Sequence, residues 1–180
     1  MSDQSGKYNV LFLCTGNSAR SLLAEAYLNS IPGSPFRGFS AGSYPTGAPN
    51  STALETLTAA KIPIDGLRSK SWDEFAVGGA PQMNFVFTVC DNAAGEVCPI
   101  WPGHPVSAHW PFEDPAAFVG PDVEKRALFL DIFRQIKTRI DLLVALPLES
   151  LEGMALKREL SRIGETVNSA PKETTHSEEF

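Results

Sequence analysis

A strand, a short loop and a helix follow one another near the start of the chain, and this succession constrains the fold more than any other feature. Residues 8–13 form a nearly continuous apolar run, which is typical of a strand buried on both faces of a parallel sheet. The run leads into Cys14, and Arg20 follows after five intervening residues. Over residues 20–30 apolar side chains recur at helical spacing. We therefore expect Cys14 to lie in a loop between the carboxyl end of a strand and the N-terminus of a helix.

The Cys14 loop combines groups that attract an anion. Backbone N–H groups at a helix N-terminus and in a tight loop favour negative charge. Arg20 adds a planar guanidinium that matches two oxygens of an oxyanion, and Gly16 permits close approach of the backbone. We expect this environment to lower the pKa of Cys14, so that its thiolate attacks a tetrahedral oxyanion. The alternative is a buried structural cysteine, with Arg20 as a solvated helix residue.

The composition limits the possible partners. A chain of 180 residues suits one domain, and its net charge of −6 argues against nucleic acid or an anionic membrane surface. No apolar run approaches the roughly 20 residues of a membrane-spanning helix, and residues 1–6 are polar, unlike a signal peptide. We therefore expect a cytoplasmic protein. Its three cysteines cannot all pair, and a reducing compartment favours catalytic or redox roles for them.

Strand and helix patterns alternate along the chain, which predicts an α/β fold. Strands are predicted at residues 8–13, 37–41, 84–89 and 107–110, and helices at 20–30, 51–60, 122–143 and 148–163, with a helical turn within 69–75. The alternation predicts a small three-layer domain around a four-stranded parallel sheet, which binds ligands at the carboxyl ends of its strands. We expect one domain over residues 1–166, with 148–163 as an additional helix and 167–180 as a disordered tail.

Two further cysteines follow the third predicted strand. Cys90 comes directly after residues 84–89, and Cys98 follows after seven intervening residues. If the intervening segment is helical, about 12 Å separate the two Cα atoms, whereas a disulfide needs about 4.4–6.8 Å. A bond between these cysteines would therefore require the segment to rearrange. Two alternatives stay open, that both are small hydrophobic residues, or that they bind zinc together with His104 and His109.

The loop sequence Cys-Thr-Gly-Asn-Ser-Ala-Arg-Ser at residues 14–21 resembles the phosphate-binding loop of the low molecular weight tyrosine phosphatase superfamily, and especially that of its arsenate reductases. The resemblance extends from Tyr8 to the helix that ends near Leu146. It implies a hydrogen bond from Ser21 to the Cys14 thiolate, the alternative being a simple serine at a helix N-terminus. It also implies that the oxyanion is bound by Thr15, Gly16, Asn17, Ser18, Ala19, Arg20 and Ser21.

The same resemblance implies a disulfide relay. Thioredoxin-coupled arsenate reductases carry a nucleophilic loop cysteine and a cysteine pair after the third strand, which match Cys14, Cys90 and Cys98 here. In the family the first and third strands are neighbours, which would bring Cys14 and Cys90 close together. Cys14 would attack arsenic, Cys90 would attack Cys14 and release arsenite, and Cys98 would attack Cys90. Thioredoxin would then reduce the last disulfide.

Residues 110–115, Trp-Pro-Phe-Glu-Asp-Pro, resemble the Asp-Pro loop of the family, which implies that Asp114 protonates the departing oxygen. Glu113 is the alternative carboxylate, and a solvated Asp-Pro turn is the alternative interpretation. Phosphatases of the superfamily usually place aromatic residues after the Asp-Pro to cradle a phenyl ring. Ala116 and Ala117 stand there in this chain, which disfavours a phosphotyrosine pocket.

The expected function is arsenate reduction, with phosphate and sulfate as competing oxyanions and thioredoxin or glutaredoxin as the reductant. One alternative is a glutathione- or mycothiol-coupled reductase, in which a small thiol resolves the arsenic adduct. The others are a low molecular weight tyrosine phosphatase and a redox-sensing or oxyanion-binding module without turnover. We expect no cofactor.

Some relatives hold a potassium ion near the loop with side chains that match Asn17, Glu25 and Ser40. The remaining carboxylate of their site aligns with Lys70 in this chain. We expect the Lys70 ammonium to replace the metal, so that activity is largely independent of potassium. The alternative is a solvated Lys70.

Overall fold

Parallel strands form the centre of the computed structural model, which describes residues 7–90, 101–151 and 153–166. The strands are β1 (Tyr8–Cys14), β2 (Phe36–Gly42), β3 (Phe85–Thr88) and β4 (Val106–His109). The helices are α1 (Arg20–Ser30), α2 (Ser51–Ala59), α3 (Asp73–Ala76), α4 (Asp122–Val144) and α5 (Gly153–Thr166). The described strands form one parallel sheet in the order β2-β1-β3-β4, which confirms the predicted α/β fold.

β1 lies between β2 and β3 and is covered on both faces. Val10 and Phe12 belong to the larger apolar cluster, which also includes buried side chains of α1, α4 and α5. Leu11 and Leu13 point to the opposite face, where Phe75 of α3 belongs to the second cluster. Because successive side chains of a strand alternate between faces, this double burial explains the continuous apolar run in the sequence.

α4 covers one face of the sheet with a stripe of buried apolar side chains at helical spacing. These side chains are Phe129, Ile132, Phe133, Ile136, Ile140 and Leu143. α5 packs against both α4 and β4. α5 therefore extends the helical layer on this face of the sheet to β4. This strand leads into the predicted Asp-Pro loop at residues 110–115, called the acid loop below.

The last predicted helix differs from the observed one. Residues 148–150 form a separate 3₁₀ turn, and α5 begins only at Gly153 and continues to Thr166. The backbone is extended at Leu151 and left-handed at Gly153, with φ of 50°, so a continuous helix cannot pass through these positions. The predicted tail over 167–180 lies outside the described residues.

Residues 69–71, which precede α3, are not helical. Ser71 forms a parallel bridge with Gly42 at the end of β2, and the Gly42 N–H donates to the Lys70 carbonyl at 3.0 Å. Of the helical turn predicted over residues 69–75, only residues 73–75 are helical, as part of α3. The stretch before them carries Lys70 to the carboxyl edge of the sheet.

In the described ranges, no helix combines the length and the apolar character that crossing a membrane requires.

Candidate active site

Cys14 and Cys90 meet at the carboxyl edge of the two central strands. Leu13 of β1 pairs with Thr88 of β3, and the Val89 N–H donates to the Leu13 carbonyl at 2.9 Å. This register places Cys14 level with Val89, one residue before Cys90, and the Cys14 and Cys90 thiols form a hydrogen bond. The expected proximity of these two cysteines is confirmed.

The Cys90 thiol and burial together raise the pKa of Cys14 far above its ordinary value. Arg20 and the Gly16 N–H act in the opposite direction but do not outweigh them. The predicted net lowering of this pKa is therefore wrong, because the prediction included the loop groups, which act in the expected direction, but not the neighbouring thiol. Two adjacent thiolates would repel each other, so the pair holds on to a shared proton.

The tight turn of the loop lies at Asn17 rather than at Gly16. Asn17 has a left-handed backbone with φ of 45°, and its side chain is completely buried. Its Nδ2 donates to the Ser21 Oγ at 2.8 Å. Asn17 and Ser21 thus support the loop from below, and the predicted hydrogen bond from Ser21 to the Cys14 thiolate stays a prediction.

Gly42, at the end of β2, is a functional residue that the sequence reasoning missed. A Cβ atom there would lie 2.3 Å from the carbonyl oxygen of Thr15 and 3.0 Å from the backbone nitrogen of Asn17. Only glycine lets the loop backbone pack this closely on β2. A glycine directly after a predicted strand was the available signal.

A cavity of about 350 Å³ opens above Cys14. Its lining consists of Cys14, Thr15, Gly16, Ser18, Ala19, Arg20, Thr46, Asp114, Ala116 and Ala117. Most of the predicted oxyanion-binding residues therefore line one cavity, whereas Asn17 and Ser21 lie behind it. Thr46 was missed, because it lies outside every predicted helix and strand; its N–H donates to the Gly16 carbonyl at 3.0 Å.

The Arg20 guanidinium faces this cavity from the first residue of α1. Its Nη1 donates to the Phe112 carbonyl at 2.9 Å, and its Nη2 lies 3.6 Å from the Asp114 Oδ2. Its buried Nε has no hydrogen-bond partner among the described residues. Since α1 also lacks a side-chain cap at Ala19, N–H groups are left for a bound oxyanion at this end of the helix.

Asp114 lies at the cavity mouth, where 44% of its side chain is exposed. Its Oδ1 accepts a hydrogen bond from the Ala116 N–H at 3.0 Å, which fixes the carboxyl group at the start of a short 3₁₀ turn. Glu113 is also exposed but is not part of the cavity lining. The geometry therefore favours Asp114 over Glu113 as the carboxylate that reaches a bound oxyanion.

Arg139 supports the acid loop from α4 and was not identified from the sequence. It is fully buried, its Nη1 donates to the Pro111 carbonyl at 2.9 Å, and its guanidinium lies 4.2 Å from the centroid of the Phe112 ring. The available signal was a charged residue between Ile136 and Ile140 on the apolar stripe of α4.

The zinc alternative depends in part on Cys98, which lies outside the described residues. His109 Nδ1 forms a hydrogen bond of 2.7 Å with the Thr88 hydroxyl. Across residues 7–90, 101–151 and 153–166, no three histidine, cysteine, aspartate or glutamate side chains lie close enough to hold a metal ion.

The sequence over residues 9–161 matches the family described as low molecular weight phosphotyrosine protein phosphatase. The chain belongs to this family. Among its curated relatives, the arsenate reductase of Oceanobacillus iheyensis is 36% identical over 131 residues, which cover 73% of this chain and 91% of that protein. Within this family, the chain is thus similar to proteins named arsenate reductases.

Two solved structures of the family agree with the observed fold. The low molecular weight protein tyrosine phosphatase from T. tengcongensis superposes with a TM-score of 0.59 at 23% identity and covers 81% of this chain and 100% of its own. The thioredoxin-dependent arsenate reductase of Corynebacterium glutamicum gives a TM-score of 0.50 at 25% identity, covering 78% of this chain and 65% of its own. The first likeness concerns the fold alone.

Proposed function

We propose that this protein reduces arsenate to arsenite by a thiol relay that begins at Cys14. The observation that carries the proposal is the contact of the Cys90 thiol with the Cys14 thiol, which lines a cavity together with Arg20. Hydrolysis of a phosphate ester needs only the loop cysteine, whereas reduction of a bound oxyanion needs a second thiol within reach. The identity to curated arsenate reductases supports the same choice.

The first step is attack on arsenic. Cys14 gives up its proton to an oxygen of the bound arsenate dianion, and its thiolate, which Arg20 and the Gly16 N–H stabilise, attacks arsenic. A sulfur–arsenic bond forms, and one oxygen leaves as water after protonation by Asp114. Arsenic is still pentavalent at this stage, and the loop N–H groups and Arg20 hold its remaining oxygens.

The second step transfers two electrons to arsenic. Cys90 gives up its proton and attacks the Cys14 sulfur, forming a Cys14–Cys90 disulfide as the sulfur–arsenic bond breaks. The electron pair of that bond stays on arsenic, which leaves as trivalent arsenite. Because the two thiols are already in contact, this step requires little movement of the strands.

The third step regenerates Cys14. Cys98 attacks Cys90 and displaces the Cys14 thiolate, and a thioredoxin-class dithiol then reduces the Cys90–Cys98 disulfide by exchange. Cys98 lies outside the described residues, so its role follows from the sequence pattern. A relay of this kind requires a compartment that keeps thiols reduced, which fits the expected cytoplasmic location.

Trapping the disulfides tests the relay. After reaction with arsenate, mass spectrometry should find Cys90–Cys98 in the wild type and Cys14–Cys90 in the Cys98→Ser variant. That variant should release one arsenite per molecule and then stop, and the Cys90→Ser variant should release none. Steady turnover of Cys98→Ser with glutathione, glutaredoxin or mycothiol would contradict the thioredoxin route.

A parallel assay with an aryl phosphate separates the reductase from a phosphatase. Efficient hydrolysis without arsenate reduction would contradict the proposed function. We expect hydrolysis to be weak, because Ala116 and Ala117 line the cavity where an aromatic leaving group would need a ring to pack against.

A further inference from the structure

A buried ion pair lies behind the oxyanion loop, on the side away from the cavity. Lys70 Nζ is 3.8 Å from Glu25 Oε1, and the two side chains are only 7% and 12% exposed. The ammonium also donates to the Ser40 Oγ at 3.3 Å and to the Arg68 carbonyl at 3.0 Å. The solvated interpretation of Lys70 is therefore wrong.

Lys70 also contacts the loop through its backbone. Its N–H donates to the Asn17 Oδ1 at 2.9 Å, while the Asn17 Nδ2 donates to Ser21. The side chain of Asn17, the one left-handed residue of the loop over positions 14–20, is thus held from both ends. One residue connects the loop, α1 through Glu25 and β2 through Ser40.

This arrangement is electrostatically expensive. Burial raises the pKa of Glu25 and lowers that of Lys70, and each charge in turn opposes the shift of the other. Well-packed apolar side chains would stabilise a fold at least as well as a buried ion pair. A lysine at this place therefore points to a requirement for positive charge behind the loop.

A potassium ion does not fit this site. Of the side chains that match the potassium site of some relatives, Glu25 and Ser40 already contact the Lys70 ammonium. The third, Asn17, already accepts a hydrogen bond through its amide oxygen from the backbone of Lys70. The cation position is filled by the chain itself.

We propose that Lys70 is a positioning residue whose ammonium serves as the resident cation of the oxyanion loop. It neutralises Glu25 and holds the Asn17 turn in the shape that presents the loop N–H groups to the ligand. Monovalent metal ions then have no role. The inference rests on the proposed function only in that the loop binds an oxyanion, so phosphate binding tests it without arsenate turnover.

The first test compares cations. Phosphate affinity by titration calorimetry, and kcat/KM for arsenate, should change less than about twofold when sodium chloride is replaced by potassium chloride in the wild type. Lys70→Met keeps the backbone donor but removes the charge, and should weaken phosphate binding by about tenfold to hundredfold, the range expected when a binding group is misplaced. Lys157→Met, at an exposed lysine of α5, is the matched control and should bind like the wild type.

The second test separates a cation from a purely structural lysine. Lys70→Asp completes an oxygen-rich site with Asn17, Glu25 and Ser40, so potassium should restore its phosphate affinity several-fold better than sodium. Lys70→Met combined with Glu25→Gln removes both buried charges and should be more stable to heat than Lys70→Met alone.

Potassium stimulation of the wild type, wild-type phosphate affinity in Lys70→Met, or loss of affinity in Lys70→Asp without any potassium effect would each overturn the inference. Failure of arsenate reduction with normal phosphate binding would instead count against the proposed function.

Discussion

Arg139 connects α4 to the catalytic groups through two neighbouring backbone carbonyls. It donates to the carbonyl of Pro111, and the carbonyl of the next residue, Phe112, accepts a hydrogen bond from Arg20. Burial lowers the pKa of Arg139 to about 10, so the guanidinium stays charged at neutral pH. The position of the Arg20 guanidinium thus depends on Arg139, which does not line the cavity.

We predict that Arg139→Met lowers kcat/KM for arsenate by about tenfold, because the segment that precedes Asp114 loses its hydrogen bond from α4. The free energy of unfolding should fall by about 1–3 kcal/mol, the cost of a buried acceptor left unsatisfied. Urea denaturation and steady-state kinetics measure both quantities. Arg134→Met, at an exposed position of the same helix, should change neither. Wild-type kinetics in Arg139→Met would contradict the positioning role.

The hydrogen bond between Cys14 and Cys90 should affect how the reactivity of Cys14 depends on pH. The hydrogen bond with Cys90 is the largest cause that raises the pKa of Cys14, so Cys90→Ala should lower that pKa. The inflection in the rate of Cys14 alkylation by iodoacetamide should therefore move to lower pH. Cys98→Ser keeps the pair and should leave the inflection in place. An unchanged profile in Cys90→Ala would mean that the two thiols do not share a proton.

At the scale of elements, α5 buttresses the strand that leads into the acid loop. Trp110, which follows β4, stacks on Phe87 with ring centroids 4.1 Å apart, and its Nε1 donates to the Leu160 carbonyl at 2.9 Å. Gly164 lets the helix approach this closely, because a Cβ there would lie 2.6 Å from the His109 carbonyl oxygen. α5 therefore holds in place the first residue of the loop that carries Asp114.

Gly164→Ala gives this packing a test with a definite sign. In an exposed helix the substitution would stabilise by up to about 1 kcal/mol through helix propensity. Here the clash with backbone at His109 should dominate and destabilise by about 1–3 kcal/mol, with a lower kcat for arsenate. Thermal denaturation measures the sign, and Ser161→Ala on the exposed side of α5 is the control. A variant more stable than the wild type would show that α5 is not seated on β4 as described.

At the scale of the whole molecule, a strand or helix was predictable from the sequence where its own residues carry the full apolar pattern. The apolar run of β1 and the helical periodicities of α1 and α4 are local patterns, and each produced the observed element. The acid loop was found because its sequence resembles that of a known family. The parallel direction of the strands followed from the alternation of elements, whereas the neighbouring position of β1 and β3 was implied by the resemblance to the family.

What the sequence did not reveal depends on contacts between distant segments. The raised pKa of Cys14 arises from strand pairing that brings Cys90 beside it. Lys70 reaches the loop because the next residue, Ser71, bridges to Gly42 at the end of β2, and local periodicity carries no information about that bridge. Arg139 was missed for a different reason. Its helix was predicted correctly, but an inward-pointing charged residue does not fit the apolar periodicity from which the helix was predicted.

The ion pair between Arg20 and Asp114 has a consequence for product release. The Asp114 carboxylate lies 3.6 Å from the guanidinium that an incoming arsenate must use, so substrate and acid compete for the same positive charge. An anionic substrate can win that competition, particularly if Asp114 carries the proton that the proposed mechanism assigns to it. Arsenite is uncharged at neutral pH and cannot. The substrate would thus displace Asp114 from Arg20, and after reduction Asp114 would displace the product. The cavity would therefore empty after each turnover of the proposed relay.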